Sequence, residues 1–285
     1  MECSGRDIAV ATLHGKQRVL ARPLRQGLGL RLVHASAVDT DQFGSFCGAQ
    51  PRRLDAVLTA QRKAEAAMDA LGLDLGIASE GSFGPHPSVS MLAAGAECLV
   101  IVDRRSGRVL VEHLLCTVTN YGAIAVASVD AAQGWLAQVG FPAHAVMVRP
   151  DQPPVVGFSP WLAKGVRQRS ELEDWIACAC AQSPLGQAWL ETDMRAHCNP
   201  TRMASIRRLA FRLVRRLRQP CPACAAPGFG VVDAVSGLPC SACGLASGWV
   251  MQQVWGCDVC GHRTRSPRPD GLRAVDPMHC DYCNP

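Results

Sequence analysis

Aromatic residues are scarce in this chain. Phe, Trp and Tyr make up 5% of 285 residues, so a core has to be built mostly from Ala, Leu and Val. No uninterrupted apolar run approaches the ~18 residues that a membrane-crossing helix needs. The opening, MECSGRDIAVATLHGK, is unlike a signal peptide, because its apolar run is short and closely flanked by charges. Together these absences predict a cytoplasmic protein with no membrane partner. A strong charge imbalance is missing too: the net charge is +5, which names no partner by itself. Neither a low-complexity tract nor an internal repeat is visible, apart from four cysteine pairs near the end. The remaining composition, 48% hydrophobic and 19% charged, is ordinary for a globular chain, and the length suits about two domains.

Cysteine is plentiful, at fifteen residues. Without an export signal this predicts reduced thiols and metal rather than disulfides. Cys3, Cys47, Cys98, Cys116, Cys178, Cys180 and Cys198 are scattered, mostly in apolar settings, and read as small core residues. The other eight form Cys-x-x-Cys pairs: Cys221/Cys224, Cys240/Cys243, Cys257/Cys260 and Cys280/Cys283. Each pair brings two thiolates to one ion, and two pairs complete the tetrahedron that Zn²⁺ prefers. The intervals between pairs are 15, 13 and 19 residues. The first and third match the usual two-knuckle ribbon. They assign Cys221, Cys224, Cys240 and Cys243 to one site, and Cys257, Cys260, Cys280 and Cys283 to the other. An interleaved arrangement, first pair with third and second with fourth, is the competing layout. His262 and His279 lie beside knuckles, but eight cysteines already fill two sites. With four sulfurs each, these would be closed, structural zinc sites that supply the folding energy of a segment too small to fold well alone.

Ahead of the knuckles, MASIRRLAFRLVRRLRQP predicts a helix ended by Pro220, with Ile206, Leu209, Ala210, Leu213 and Leu217 as its apolar stripe. Arg208, Arg212, Arg215 and Arg216 fall on other faces. Residues 201–285 hold eleven Arg, no Lys and five acidic residues. Eight thiolates holding two Zn²⁺ would offset much of that surplus. The Arg helix and the ribbon remain a candidate surface for nucleic acid or a protein partner.

The first 150 residues alternate strand and helix patterns. DIAVAT, LRLVHA, LDLGIA, ECLVIVD, RVLVEHLLCTV, AIAVAS and HAVMVRP read as strands, with a hairpin turn at Ser106-Gly107. KQRVLARPLRQGL, RLDAVLTAQRKAEAAMDAL and VDAAQGWLAQVG read as helices, the second with Leu58, Ala60, Ala64, Ala67, Met68 and Leu71 as its buried stripe. This order predicts an α/β fold: a mixed sheet with flanking helices, followed by a small C-terminal double zinc-ribbon domain. The expected organisation is an α/β domain over 1–150, a mainly helical extension with the basic linker helix over 151–218, and the ribbon over 219–285. DQPPVVGFSP, after residue 150, reads as a loop.

Polar clusters fall where strands should end, which is where α/β sheets bind ligands. In ATLHGKQ, His14, Gly15 and Lys16 separate a strand from a helix, a setting suited to phosphate. VDTDQFGSF offers Asp39 and Asp41. IASEGSFGPHP places Glu80 at an expected strand end, before a Gly- and Pro-rich loop carrying His86. Asp39, Asp41 and Glu80 could share a Mg²⁺ with substrate phosphates. Lys16 and Lys63 would neutralise those phosphates, and Glu80, His86 and His14 are the candidate catalytic groups. ETDMRAHCNPTR packs Glu191, Asp193, Arg195, His197, Asn199 and Arg202 into one stretch, with Pro200 expected to stop a helix. It would supply a second wall of the same site, with Arg195 on the ligand, or an ion-pair network between domains.

Two resemblances follow from these residues. Through ATLHGK, DTDQFG, EGSFGPHP, ETDMRAHCNPTRM, PGFG, RPDG and CDYCNP, nearly the whole chain resembles an uncharacterised bacterial family ending in a double zinc ribbon. That family brings no activity. More loosely, residues 8–83 resemble the start of the inosine triphosphate pyrophosphatase and Maf superfamily, through ATLHGK, RKAEAA and GIASEGSFG. His14 or Gly15 stands where that superfamily has Asn, and Lys16 comes one residue early. The resemblance implies a Mg²⁺-dependent phosphohydrolase acting on a nucleotide or another phosphorylated small molecule, with Lys16 on phosphate and Glu80 on metal. The rival reading is a non-enzymatic binding module built around the ribbon.

Overall fold

The computed structural model describes residues 3–44, 53–87, 89–153 and 160–285. Cys47 and most of the loop expected over 151–160 lie outside the described residues. The chain divides into two compact units, Glu2–Leu213 and Val214–Pro285.

The first unit opens with β1 (Asp7–Val10), α1 (Gln17–Leu28), β2 (Arg31–His34) and α2 (Ala56–Leu71). Then come β3 (Leu75–His86), β4 (Val89–Asp103) and β5 (Arg108–Cys116). Its first sheet has the order β2-β1-β3-β4-β5, parallel across β2, β1 and β3 and antiparallel from β3 to β5. This is the mixed sheet expected from the alternating pattern. Small residues let α2 lie close to it. Ala60, Ala64 and Ala67 are fully buried against Ala9, Ala78 and Val100. Asp55 caps α2 by accepting from the Val57 and Leu58 amides, both at 2.9 Å, and Gly72 closes it in the left-handed region. Leu58, expected in the buried stripe, is exposed, because the helix turns Thr59 and Lys63 inward instead.

The stretch EGSFGPHP is not a loop. β3 runs on to His86 and pairs in antiparallel register with β4, Glu80 opposite Cys98 and Phe83 opposite Gly95. Glu80 therefore sits inside a strand rather than at its end. The glycines are there to make room. A Cβ on Gly81 would lie 2.6 Å from the Glu97 carboxylate, and one on Gly95 would lie 2.7 Å from the Phe83 ring. The hairpin turn between β4 and β5 forms as expected, with Gly107 at φ +67°.

The second sheet holds β6 (Ala123–Val126), β7 (Val146–Pro150), β8 (Ala163–Val166) and β9 (Ala188–Thr192), in the order β6-β9-β7-β8 and antiparallel throughout. α3 (Gln133–Val139) and α4 (Arg169–Gln182) accompany it, and Leu136, Leu172 and Ile176 fill its core with Val146, Val148 and Leu190. Residues 161–218, expected to be mainly helical, thus contribute two strands. The expected boundary at residue 150 falls within this sheet, since β7 pairs with β9. α5 (Pro200–Arg218) follows. Pro200 begins this helix rather than stopping one. Proline lacks the N–H that the first helical residue does not need, and Asn199 Oδ1 accepts from the Arg202 amide at 2.9 Å. The predicted stripe holds: Ile206, Leu209, Ala210 and Leu213 are fully buried.

In the second unit, β10 (Gly230–Ser236), β11 (Val250–Gly256) and β12 (Arg263–Pro267) form an antiparallel sheet. Two small cores flank its knuckles. One gathers Leu238, Cys240, Val275 and Cys280, and the other gathers Cys221, Phe229 and Cys257.

Candidate metal centres and a candidate anion cleft

The eight cysteines meet in two quartets, Cys221/Cys224/Cys257/Cys260 and Cys240/Cys243/Cys280/Cys283. This is the interleaved layout, so the consecutive assignment is corrected. Interval lengths misled because β10, between the first and second knuckles, pairs antiparallel with β11, between the second and third, with Gly230 opposite Gly256. That pairing folds the chain back and brings knuckle one to knuckle three. Across the quartets the sulfurs lie 3.7, 3.7, 3.9 and 3.7 Å apart. A tetrahedron with metal–sulfur bonds near 2.3 Å has edges of about 3.8 Å. A disulfide would require ~2.05 Å. The donor set and its spacing therefore fit two Zn²⁺ ions. The knuckles share one backbone design. The residue after the second cysteine donates its amide to the first cysteine's carbonyl, at 2.9 to 3.1 Å, in Ala225, Gly244, Gly261 and Asn284. Ala225, Gly244 and Gly261 have positive φ, and Ala225 is the one non-glycine with positive φ among the described residues. His262 packs on Phe229 and His279 on Trp249, so both serve as ring neighbours rather than ligands.

In the first unit, β3 is parallel to β1, with Val10 beside Ile77. It continues past the end of β1, so Ser79 and Glu80 come alongside the Thr12–Lys16 turn. Gly15, at φ +69°, lets that turn close. A small cleft results, lined by Thr12, His14, Lys16, Asp41, Lys63, Ser79 and Glu80 among others. Five of the candidate residues named from the sequence, His14, Lys16, Asp41, Lys63 and Glu80, therefore line one site. The chain has three lysines, and this cleft takes two of them, both buried.

Lys16 Nζ donates to the Ser79 carbonyl at 2.8 Å and reaches no carboxylate among the described ion pairs. Burial is the largest cause pushing its ammonium down to about 8, with Arg202 adding repulsion and Glu80 and Glu97 opposing. Ser79 is 4% exposed, and its hydroxyl has no hydrogen-bond partner among the described residues. Lys63 forms a buried ion pair with Glu80. His14 stacks on His197 with ring centroids 5.0 Å apart. Burial first, then Lys16, His197, Arg202 and Arg195, lower its pKa to about 3, so it is neutral at physiological pH.

Other candidates sit elsewhere. Asp39 accepts from the Asp41 amide at 2.9 Å and caps a short 3-10 turn. His86 is six residues beyond Glu80 along an extended strand, about 20 Å away, and it lines neither this cleft nor the neighbouring cavity. Arg195 is held by Asp193 through a 2.5 Å contact. Among the described residues, the only groups of three or more acidic, His or Cys ligands close enough to hold an ion are the two cysteine quartets. Asp39, Asp41 and Glu80 therefore do not fit a shared Mg²⁺: one caps a turn and another is paired with Lys63.

The ETDMRAHCNPTR stretch lines a neighbouring cavity rather than the cleft. Arg202, buried completely, donates from Nε to Glu97 at 2.6 Å and from a terminal nitrogen to the Met194 carbonyl at 2.5 Å. It also covers the Phe83 ring at 5.2 Å. Glu191, Thr192 and Met194 join Glu80, Phe83, Tyr121 and Met147 around this cavity of about 280 Å³. Glu97, Phe83 and Tyr121 escaped the sequence reading. Glu97 carried the same signal as Glu80, a carboxylate within an apolar strand, and that signal pointed to a buried partner. On α5, Arg208 donates to Cys116 at 2.9 Å, Arg212 pairs with Glu112 at 3.0 Å and Arg216 donates to the Gly228 carbonyl at 3.2 Å. Three of the four arginines offered for nucleic acid are thus engaged within the chain. Cys98, Cys116 and Cys198 are buried as expected, whereas Cys3, Cys178 and Cys180 are half-buried. No helix among the described residues is long and apolar enough to cross a membrane.

Residues 63–285 match a family described as a domain of unknown function, DUF6671, and the chain belongs to that family. The match includes both cysteine quartets and the Glu97–Arg202 wall, and it begins at Lys63, so the His14–Lys16 turn precedes it. No curated protein and no solved structure matches the chain. The looser resemblance to the inosine triphosphate pyrophosphatase and Maf superfamily gains no support from these comparisons.

Proposed function

We propose that this DUF6671 protein binds the phosphate-like end of a small molecule in the cleft between the Thr12–Lys16 turn, α2 and β3, while two structural zinc ions hold its C-terminal unit. One observation carries the reading: Lys16 is a buried ammonium with a single side-chain hydrogen bond among the described residues, to a backbone carbonyl. An ammonium has three donors, and burying it without a carboxylate in contact is costly. An anion in the cleft would accept the remaining donors, and the unpartnered Ser79 hydroxyl is at hand to donate as well. Binding is favoured over hydrolysis, because Glu80, the candidate metal carboxylate, is already paired with Lys63.

The test is calorimetric titration of inorganic phosphate and pyrophosphate into the full-length protein at low ionic strength. Lys16→Met should weaken binding at least tenfold. Because the anion favours protonated Lys16, affinity should be highest below about pH 8 and fall as pH rises past it. Equal affinity in the variant, or no binding in the wild type, overturns the reading. Phosphate release from nucleoside triphosphates with Mg²⁺, abolished in Glu80→Gln, would restore the hydrolase reading drawn from the sequence.

A further inference from the structure

The neighbouring cavity is chemically unlike the cleft, although Glu80 and Gly44 line both. Its walls are Tyr121 and Phe83, with ring centroids 6.2 Å apart, and the thioethers of Met147 and Met194. Aromatic rings and thioethers are the surfaces on which flat π systems pack. Its charged groups are both carboxylates, Glu80 and Glu191. Glu80 is neutralised by Lys63, and Thr192 is spent on Gly122, which its hydroxyl meets at both the amide and the carbonyl. Glu191 remains. Its carboxylate forms no ion pair among the described residues, and burial raises its pKa above the ordinary value, with the Trp189 indole and then Arg149 opposing and Asp193 adding to the rise. The Trp189 indole N–H lies near enough to stabilise the carboxylate, although it makes no hydrogen bond of full geometry among the described residues, and a carboxylate has room for further donors. A half-buried carboxylate in an aromatic chamber is an acceptor waiting for donors.

We propose that this cavity binds a flat nitrogen heterocycle through two adjacent N–H groups donated to Glu191. The edge is that of a 2-aminopyrimidin-4-one, shared by guanine and pterins. A carboxylate takes two parallel N–H donors in bidentate fashion. Tyr121 and the methionines supply the stacking surface. A cavity of about 280 Å³ lies just below the ~300–1,000 Å³ of typical ligand sites, a size for one or two fused rings rather than a large molecule. A small ammonium ion would leave most of this volume unfilled. Only the further claim, that one ligand spans this cavity and the anion cleft, rests on the function proposed above.

The experiment titrates guanosine, neopterin, adenosine and inorganic phosphate separately into the zinc-loaded, full-length protein. Guanosine, neopterin or both should bind, with adenosine at least tenfold weaker because its ring nitrogen would face the carboxylate with a lone pair. Binding of only one of the two assigns the source of the ring. Glu191→Gln and Tyr121→Leu should each weaken the ring ligand about tenfold and leave phosphate unaffected, and Tyr121→Leu carries the test if Glu191→Gln fails to fold. Lys16→Met should do the reverse. No ring binding at millimolar concentration, adenosine equal to guanosine, or wild-type affinity in both cavity variants overturns the proposal. Ring binding without phosphate binding sinks the anion-cleft reading alone.

Discussion

Residues Glu2–Leu213 keep charged groups inside an apolar core, whereas Val214–Pro285 has little core beyond the residues around its sulfurs. In the first unit Lys16, Lys63, Glu80, Glu97 and Arg202 are all buried, and each must recover its lost hydration from a partner far away in sequence. Glu97 and Arg202 are 105 residues apart. In the second unit the candidate metal ligands are cysteines with two residues between them in each knuckle, so local geometry prepares half of each site. One unit is held by many contacts plus a few buried ion pairs, and the other by two points of very high energy.

The sharpest way to break that comparison is to remove the metal. Chelation should release two zinc ions per chain and unfold Val214–Pro285 while the first unit keeps its circular dichroism. Structural zinc contributes roughly 10–16 kcal/mol of apparent binding energy in small modules. The pairing is checked by metal content. Cys221→Ser with Cys257→Ser should cost one zinc, and Cys221→Ser with Cys240→Ser should cost both. The consecutive layout gives the opposite result.

Next in size is the Glu97–Arg202 pair. Arg202→Met leaves a buried carboxylate uncompensated and should cost about 3–5 kcal/mol in urea denaturation. Adding Glu97→Gln should recover part of it. If the single variant unfolds like the wild type, the first unit does not depend on this pair.

A smaller effect, of opposite sign, is expected at Lys16. Its pKa falls from an ordinary 10.5 to about 8 on folding, so between those values the unfolded chain binds more protons and stability rises with pH. Lys16→Met should remove that rise and stabilise the fold near neutral pH by about 1–3 kcal/mol, while it loses anion binding. A destabilised variant would show that the lysine serves the fold rather than a ligand. The smallest effect belongs to Ala225. Glycine there should relieve its positive φ and stabilise the second unit by about 0.5–1 kcal/mol, read as slower zinc loss to a chelator.

Much of this was legible in advance where residues act through their neighbours in sequence. The α5 stripe, the Ser106-Gly107 turn and the four knuckles depend on local spacing, and all appear as read. Reading failed where a tertiary partner overrode local composition. EGSFGPHP has the glycine and proline content of a loop, yet β4 holds it extended, with Gly81 leaving space for Glu97. Pro200 reads in sequence as a helix stop and is a helix start, because proline's missing N–H suits either side of a helix boundary. Asp39 and His86 had suitable chemistry, but one was claimed by its own turn and the other was carried away along a strand.

The sequence by itself determined that this chain ends in two four-sulfur sites, because a Cys-x-x-Cys knuckle is complete within four residues. It also marked Glu80 as a carboxylate against an apolar run, although it placed that residue at the end of a strand rather than within one. Only the tertiary structure decided which knuckles share an ion, that Glu80 pairs with Lys63, and that Lys16 and Ser79 face the same cleft. Those choices depend on strand pairing across tens of residues, where the energy lies in the assembled core and no local spacing records it.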